Sequence, residues 1–298
     1  MAVHELPDGV GWTSLLTAYG RAQERVEAEP LFSDPLAKEF IAAAISAAVP
    51  DSAQLPRLGP ARDDGSSTLW DAFRFYFTQR TPFYDRQVLQ AVAAGCRQVA
   101  VLGAGLDSRA FRLGLPSEVT VFEVDQAPVL DFKDRVLTDR GAAPTCRRVP
   151  LVADVRRGLP AALAAAGFDP GLPALWLQEG LLMYLTREEA DQLQSEITAL
   201  SAPGSRFASE YFSRRWTNAD VRYDTLDEQE QAAWDLLMNS FRYGPVDDAP
   251  DDWLASHGWK THQVTTVRDE GHRTGRRVPP EFARPGATQV WLVSAIVS

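Results

Sequence analysis

Apolar residues recur at helical spacing through the first third of the chain and then give way to short continuous runs. The pattern predicts a helical N-terminal segment followed by an α/β core. The helical character begins at Trp12 and lasts to about residue 94. Asp34-Pro35 reads as a helix start, because the carboxylate accepts free backbone N–H groups and proline has none to lose; that helix continues through Leu36, Phe40 and Ala44. Residues 54–67 are rich in Pro, Gly, Asp and Ser and read as a mobile connection. Leu69, Trp70, Phe73, Tyr76 and Phe77 then line one side of another helix, and Thr81-Pro82 restarts the helix toward Ala94.

After Gly95 the continuous apolar runs predict parallel strands covered on both faces, at 98–102, 119–124, 148–152, 174–178 and 206–211. Thr186 and Glu189 form a capping box, with Leu193, Ile197 and Leu200 on the buried side of a helix that ends before Gly204. Residues 218–243 read as helical and placed to cover a site, with acidic residues among Leu226, Trp234, Leu236 and Leu237. Trp253-Leu254 leads to a glycine stop at Gly258, residues 260–267 and 288–297 alternate as terminal strands, and the stretch 271–286 between them reads as an exposed loop. This divides the chain into a helical cap over 1–94 and a core over 95–298 with a helical lid insertion at about 212–257. No internal repeat is present, which disfavours a solenoid.

With 298 residues, 45% apolar and 23% charged, the chain can bury a large core. Thirty basic against 40 acidic residues leave a net charge of −10, which disfavours nucleic acid and anionic lipid as partners. The most apolar stretch, Phe40 to Val49, is ten residues long, whereas a spanning helix needs about 20. The opening MAVHELPDGVGW lacks the basic-then-apolar pattern of a secretory signal, so the cytoplasm is expected. Cys96, Cys146 and four scattered histidines offer no disulfide framework and no metal-ligand spacing; two packed thiols and no metal are expected.

The sharpest chemical signal is Gly103-Ala104-Gly105, directly after a strand and before helix-compatible sequence. Such a turn lets backbone approach a ligand and offers free N–H groups. The third glycine of a dinucleotide fingerprint is replaced by Ser108, so a ligand without a pyrophosphate fits better. Asp125, 20 residues after Gly105 and just past the second strand, is placed to accept ribose hydroxyls, with Glu123 as a competitor. Asp154, after the third strand, suits either an adenine amino group or the cap of the next helix. Glu179 lies in the apolar run from Ala174 to Leu185, where an ion is costly unless paired or ligand-bound. All four positions fall at strand ends, the edge where open α/β sheets bind ligands. Together they point to an adenosine.

Arg80-Thr81, the stretch from Leu102 to Arg109, Phe122-Glu123-Val124-Asp125, Ala153-Asp154-Val155 and the run Glu179 to Leu185, together with Arg21 to Glu24 and Leu31 to Ala37, resemble the leucine carboxyl methyltransferase family of class I S-adenosyl-L-methionine-dependent methyltransferases. The likeness spans roughly residues 19–210 and is nearest to a bacterial branch of small-molecule O-methyltransferases, many from polyketide and other natural-product pathways. It implies a Rossmann-like class I sheet with a helical N-terminal segment and an inserted lid. It also implies the cofactor contacts: Arg80 on the methionine carboxylate, Gly103, Ala104 and Gly105 through backbone, Asp125 on the ribose, Asp154 and the Val155 backbone on the adenine, and Glu179 near the amino group or sulfonium. Arg21 is a further candidate for the cofactor carboxylate or the acceptor. Ser108 and Val155 stand where Thr and Leu are expected, and neither change removes a backbone contact.

Methyl transfer to a carboxylate needs no base, whereas a phenol near pKa 10 gains from one. Tyr184 and His272 are the candidates for a catalytic role; His257 and His262 flank a terminal strand. The aromatic residues of the helical flanks suit a mostly apolar pocket for a medium-sized, partly aromatic acceptor. Two other readings share these features: a nicotinamide-dependent oxidoreductase and a methyltransferase fold that binds without turnover. The acceptor's identity, the choice between carboxyl and hydroxyl oxygen, and the oligomeric state stay open.

Overall fold

The computed structural model describes residues 11–47, 56–60 and 65–297. The opening segment used for the leader argument, the end of the apolar 40–49 stretch, and residues 54–55 and 61–64 of the expected connection lie outside the described residues. Helices α1 (Trp12–Gln23), α2 (Pro35–Ala47) and α3 (Thr68–Ala93) precede strand β1 (Gln98–Leu102). Strands β2 (Thr120–Asp125), β3 (Arg147–Val152), β4 (Ala174–Gln178) and β5 (Arg206–Phe212) follow, with α4 (Arg109–Arg112), α5 (Ala127–Asp139), α6 (Leu159–Ala165) and α7 (Arg187–Ala199) between them. Helices α8 (Glu228–Ser240) and α9 (Pro250–Ser256) lead to β6 (Trp259–Thr266), and α10 (Val267–Arg273) and α11 (Pro280–Ala283) lead to β7 (Val290–Val297). The sheet order is β3-β2-β1-β4-β5-β7-β6. Strands β1 to β5 pair in parallel, and β7 inserts antiparallel between β5 and β6.

Alternation along the strands sorts side chains onto two faces. Val99, Val101, Leu175 and Leu177 pack on the face covered by Phe83, Tyr84 and Val88 of α3. Ala100, Leu102, Phe122 and Trp176 pack with Leu163 of α6, Leu193 and Ile197 of α7, and Trp253 of α9. A third cluster joins Trp12, Phe40, Trp70 and Phe77 to Phe132 of α5 and Leu237 of α8, so the N-terminal helices sit against the sheet's carboxyl edge through α5. The expected strands lie within one or two residues of the observed ones. Among the parallel strands, cover on both faces fails at the edge strand β3, where Val152 is 60% exposed. The Thr186–Glu189 capping box forms, and Asp34 Oδ1 accepts from the Ala37 N–H at 3.1 Å. Both cysteines are buried and free. Among the described residues no helix is long and apolar enough to cross a membrane.

Three expectations are corrected. Helix α3 runs straight through Pro82, capped by Ser67, whose hydroxyl accepts from the Trp70 N–H at 3.0 Å. An interior proline costs about 3 kcal/mol; here residues 77–81 and 83–85 are all buried, and that packing offsets the cost. The 218–243 segment is helical only over α8, preceded by two 3₁₀ turns at Asn218–Asp220 and Tyr223–Thr225. The 271–286 stretch is not simply exposed: it ends α10 and forms α11, with Gly271, Glu281 and Phe282 buried.

Beneath β2 the carboxylate of Glu123 meets Lys133 Nζ of α5 at 2.7 Å and Arg148 of β3 at 2.8 Å, with Glu123 and Lys133 both at 0% exposure. Removing one partner of such a pair leaves a buried charge uncompensated, at about 3–5 kcal/mol. Urea denaturation of Glu123→Leu is expected to show a loss of that size, and a loss below about 1 kcal/mol contradicts this assignment.

Candidate active site

The glycine turn at the end of β1 is built from two left-handed residues, Gly103 at φ 66° and Gly105 at φ 49°, a region that side-chain-bearing residues avoid. Ala104 between them donates its N–H to the Val124 carbonyl at 3.0 Å. Asp125, at the tip of the neighbouring strand, accepts the Gly105 N–H at 2.6 Å and the Gln126 N–H at 2.7 Å. Burial pushes the Asp125 carboxyl above its ordinary value, with those two N–H groups opposing. Glu123, the alternative acid, points into the ion cluster beneath the sheet and does not line the site. A cavity of about 300 Å³ opens above the turn.

Four strand tips contribute to that cavity: Gly103, Ala104 and Gly105 after β1, Asp125 after β2, Asp154 and Val155 after β3, and Glu179 after β4. Arg80 and Tyr76 reach it from α3, Arg21 from α1, and Tyr184 from the 3₁₀ turn Leu182–Tyr184. Much of the rest of the wall is aromatic, interspersed with Leu69, Met183, Leu237 and Met238. Trp216 packs against Trp234, Phe282 and Phe212 at 6.1, 5.9 and 5.9 Å between ring centres, and Tyr184 meets Phe241 at 5.2 Å.

Along the strand-tip end of the cavity runs a line of buried charges. Glu179 holds Arg80 Nε at 3.0 Å and Arg109 Nη1 at 2.6 Å. Arg80 also binds Glu210 of β5, and Arg109 binds Asp107 and Asp85, the latter at 2.8 Å. Asp85 in turn takes Arg112 at 2.7 Å. The Tyr76 hydroxyl accepts from Arg80 at 2.9 Å and donates to Glu210 Oε1 at 2.7 Å. Burial raises the Glu210 carboxyl to about 7, with Glu179 adding to the effect and Arg80, Tyr76 and the Gly180 N–H opposing.

A sequence profile of the leucine carboxyl methyltransferase family matches residues 14–198. The chain belongs to that family. Over 93% of its length it is 40% identical to a provisionally named S-adenosyl-L-methionine-dependent methyltransferase of Mycobacterium tuberculosis, 88% of which is covered. A similarly named protein of Mycobacterium marinum is 37% identical over 97% of this chain and 92% of that one. Among solved structures, a duf574 family protein from Streptomyces avermitilis superposes with a TM-score of 0.55 at 16% identity, covering 96% of this chain and 97% of that one. Magnesium protoporphyrin IX methyltransferase from Synechocystis, solved with bound S-adenosylhomocysteine, gives 0.50 at 12% identity, covering 80% and 90%. At these identities the structures show the shared fold: a seven-stranded class I methyltransferase sheet.

Within that family's frame the remaining sequence candidates fall as follows. Asp154 accepts the Arg156 N–H at 3.0 Å and pairs with its guanidinium at 2.8 Å, which lowers its pKa to about 2; it holds a turn and does not cap α6, whose N-cap is Gly158. Arg21 is buried, bonded to Asp34 at 2.9 Å and to the Leu106 carbonyl at 2.7 Å, so it fastens α1 to the loop after the glycine turn. Burial raises the Tyr184 hydroxyl to about 12, with Thr13 opposing. His272 is corrected: it is exposed on α10 and does not line the cavity, and neither do His257 and His262. Sequence reading missed Tyr76 as a polar group, Arg109 and Glu210. An acid in the apolar strand Phe207 to Phe212 carries the same burial signal that singled out Glu179.

Replacing Arg21 by Met keeps the apolar stem but strands Asp34, whose side chain is fully buried. Hydrogen exchange of the α1 amides is expected to quicken by about tenfold or more while β1 and β4 stay protected, since charged hydrogen bonds contribute roughly 1.5–3 kcal/mol. Unchanged exchange in α1 contradicts the fastening role.

Proposed function

We propose that this protein binds S-adenosyl-L-methionine at the strand tips and transfers its methyl group to a carboxylate or phenolic oxygen of a small, partly aromatic molecule. The carrying observation is the convergence of the Gly103–Gly105 turn and Asp125 at adjacent strand ends with Arg80 and Glu179 in one cavity. The donor set fits the group. Asp125 offers acceptors for ribose hydroxyls, Arg80 and Glu179 are complementary to an amino-acid tail, and Asp154 with the Val155 backbone suits an adenine edge. Arg80, Arg109 and Arg112 face Asp85, Asp107, Glu179 and Glu210, which leaves one excess negative charge when all are ionised, complementary to a cofactor of net charge +1. A natural-product acceptor such as an aromatic polyketide is part of the same proposal, supported by the aromatic wall.

The bound cofactor supplies an electrophilic methyl on a sulfonium. The chain's own residues align the acceptor oxygen and exclude water, and these effects supply much of the rate in an in-line displacement. A carboxylate acceptor has no proton to lose. A hydroxyl proton released beside Tyr76 passes to its oxygen as the Tyr76 proton moves to Glu210 Oε1, 2.7 Å away. The strand order argues against a nicotinamide oxidoreductase, because a dinucleotide sheet runs 3-2-1-4-5-6, whereas here an antiparallel β7 separates β5 from β6.

Two outcomes are expected. In titration calorimetry S-adenosylhomocysteine binds the wild type, Asp125→Ala weakens it by about tenfold or more, and NAD(P) does not bind. Binding of NAD(P) alone overturns the assignment, and cofactor binding with no labelled product from methyl-labelled cofactor in any extract favours the non-catalytic reading. With a hydroxyl acceptor, the rate rises with pH through about 7, because Glu210 is protonated below that value and free to take a proton above it. Tyr76→Phe removes this rise; a flat wild-type profile from about pH 6 to 8 contradicts the relay.

A further inference from the structure

One buried carboxylate in the cavity wall has, among the described residues, only a long ionic contact. Glu281 of α11 is 4% exposed and lines the cavity beside Phe282, whose ring packs against Trp216 at 5.9 Å and Tyr76 at 6.5 Å. Its ionic contact among the described residues is Arg222 at 3.9 Å, a side chain 54% exposed. Neighbouring cations are engaged elsewhere: Arg214 and Arg284 both hold Asp220, at 2.6 and 2.5 Å, and Arg215 lies over the Tyr243 ring at 5.1 Å.

The cations that do line the cavity, among the described residues, are Arg21, Arg80 and Arg156. Arg80 and Arg156 lie at the strand-tip end that the methyl-transfer reading gives to the cofactor, and Arg21 holds Asp34 at 2.9 Å. A carboxylate acceptor would thus enter an apolar, aromatic space with no free cation and one acid of its own sign. Burying an ion without a partner is costly, and two like charges a few ångströms apart in a partly desolvated site repel by enough to cut affinity tenfold or more. A neutral hydroxyl compound meets neither the desolvation cost of an ion nor this repulsion.

We infer that the acceptor is a neutral aromatic molecule bearing a hydroxyl group, not a carboxylate, and that Glu281 sets this choice by repelling anions. The family is named for a carboxyl acceptor, yet the charges lining this cavity select differently. The inference rests on the methyl-transfer reading, which fixes the strand-tip end as the cofactor's and leaves the aromatic end for the acceptor.

The test uses the full chain saturated with S-adenosylhomocysteine near pH 7.5 and two probes on one skeleton, 2-naphthol, which is neutral there, and 2-naphthoate, which is an anion. Calorimetry is expected to show the wild type binding the naphthol about tenfold or more tighter. Part of that gap reflects the naphthoate's own desolvation, so the deciding arm is Glu281→Gln, which keeps size and polarity without charge. It is expected to bind naphthoate several-fold better and so narrow the gap, with affinity for S-adenosylhomocysteine unchanged; Glu281→Met, with a similar stem, gives the same direction if the glutamine variant does not fold. The inference is overturned if wild type binds naphthoate as tightly as naphthol, if it binds no naphthol, or if neutralising Glu281 leaves the ratio unaltered. Failure of S-adenosylhomocysteine to bind is a separate result, and it removes the methyl-transfer reading itself.

Discussion

Arg80 is fixed between two carboxylates, Glu179 and Glu210, at 4% side-chain exposure, and the organisation of the cavity depends on that contact. Each of these ions loses several kcal/mol of hydration on burial, so none is tolerated there without the others. The line continues through Arg109, Asp85 and Arg112, and it joins α3, α4, β5 and the tip of β4 into one rigid corner. The uninterrupted course of α3 past Pro82 belongs to the same constraint. A helix broken at that proline would swing Arg80, two residues earlier, away from both partners.

The molecule thereby separates two tasks. The strand tips and the ionic corner form a polar end whose geometry is set by backbone and buried charge. The aromatic end is assembled mostly from α3, α8, α11 and the segment after β5, with Phe212 at the end of β5 and Tyr184 of the 3₁₀ turn. Arg21 ties α1, which also lines the cavity, to the loop beyond the glycine turn. On the proposed reading the polar end takes the cofactor and the aromatic end the acceptor.

What was legible in the sequence follows the same division. Strand alternation, the glycine turn and the acids at strand tips are local signals, and all of them lie where the pattern puts them. Pro82 misled because its local cost is offset by packing from residues distant in sequence. The 271–286 stretch misled because its arginines and glycines read as solvated surface, whereas Phe282 packs against α3 and Trp216 and Glu281 is buried. His272 fell in that misread loop. Glu210 and Glu123 were within reach of a rule applied only to Glu179: an acid inside an apolar strand must have a buried partner or a ligand.

The central claim is that the ionic corner and the Gly103–Asp125 contact mark the cofactor end of the cavity. The most direct measurement is a crystal structure of the complex with S-adenosylhomocysteine. The account predicts the amino-acid tail beside Arg80 and Glu179, the ribose on Asp125, and the sulfur facing the aromatic wall. A nucleoside lodged among Trp216, Trp234 and Phe282, with Arg80 and Asp125 untouched, would contradict it.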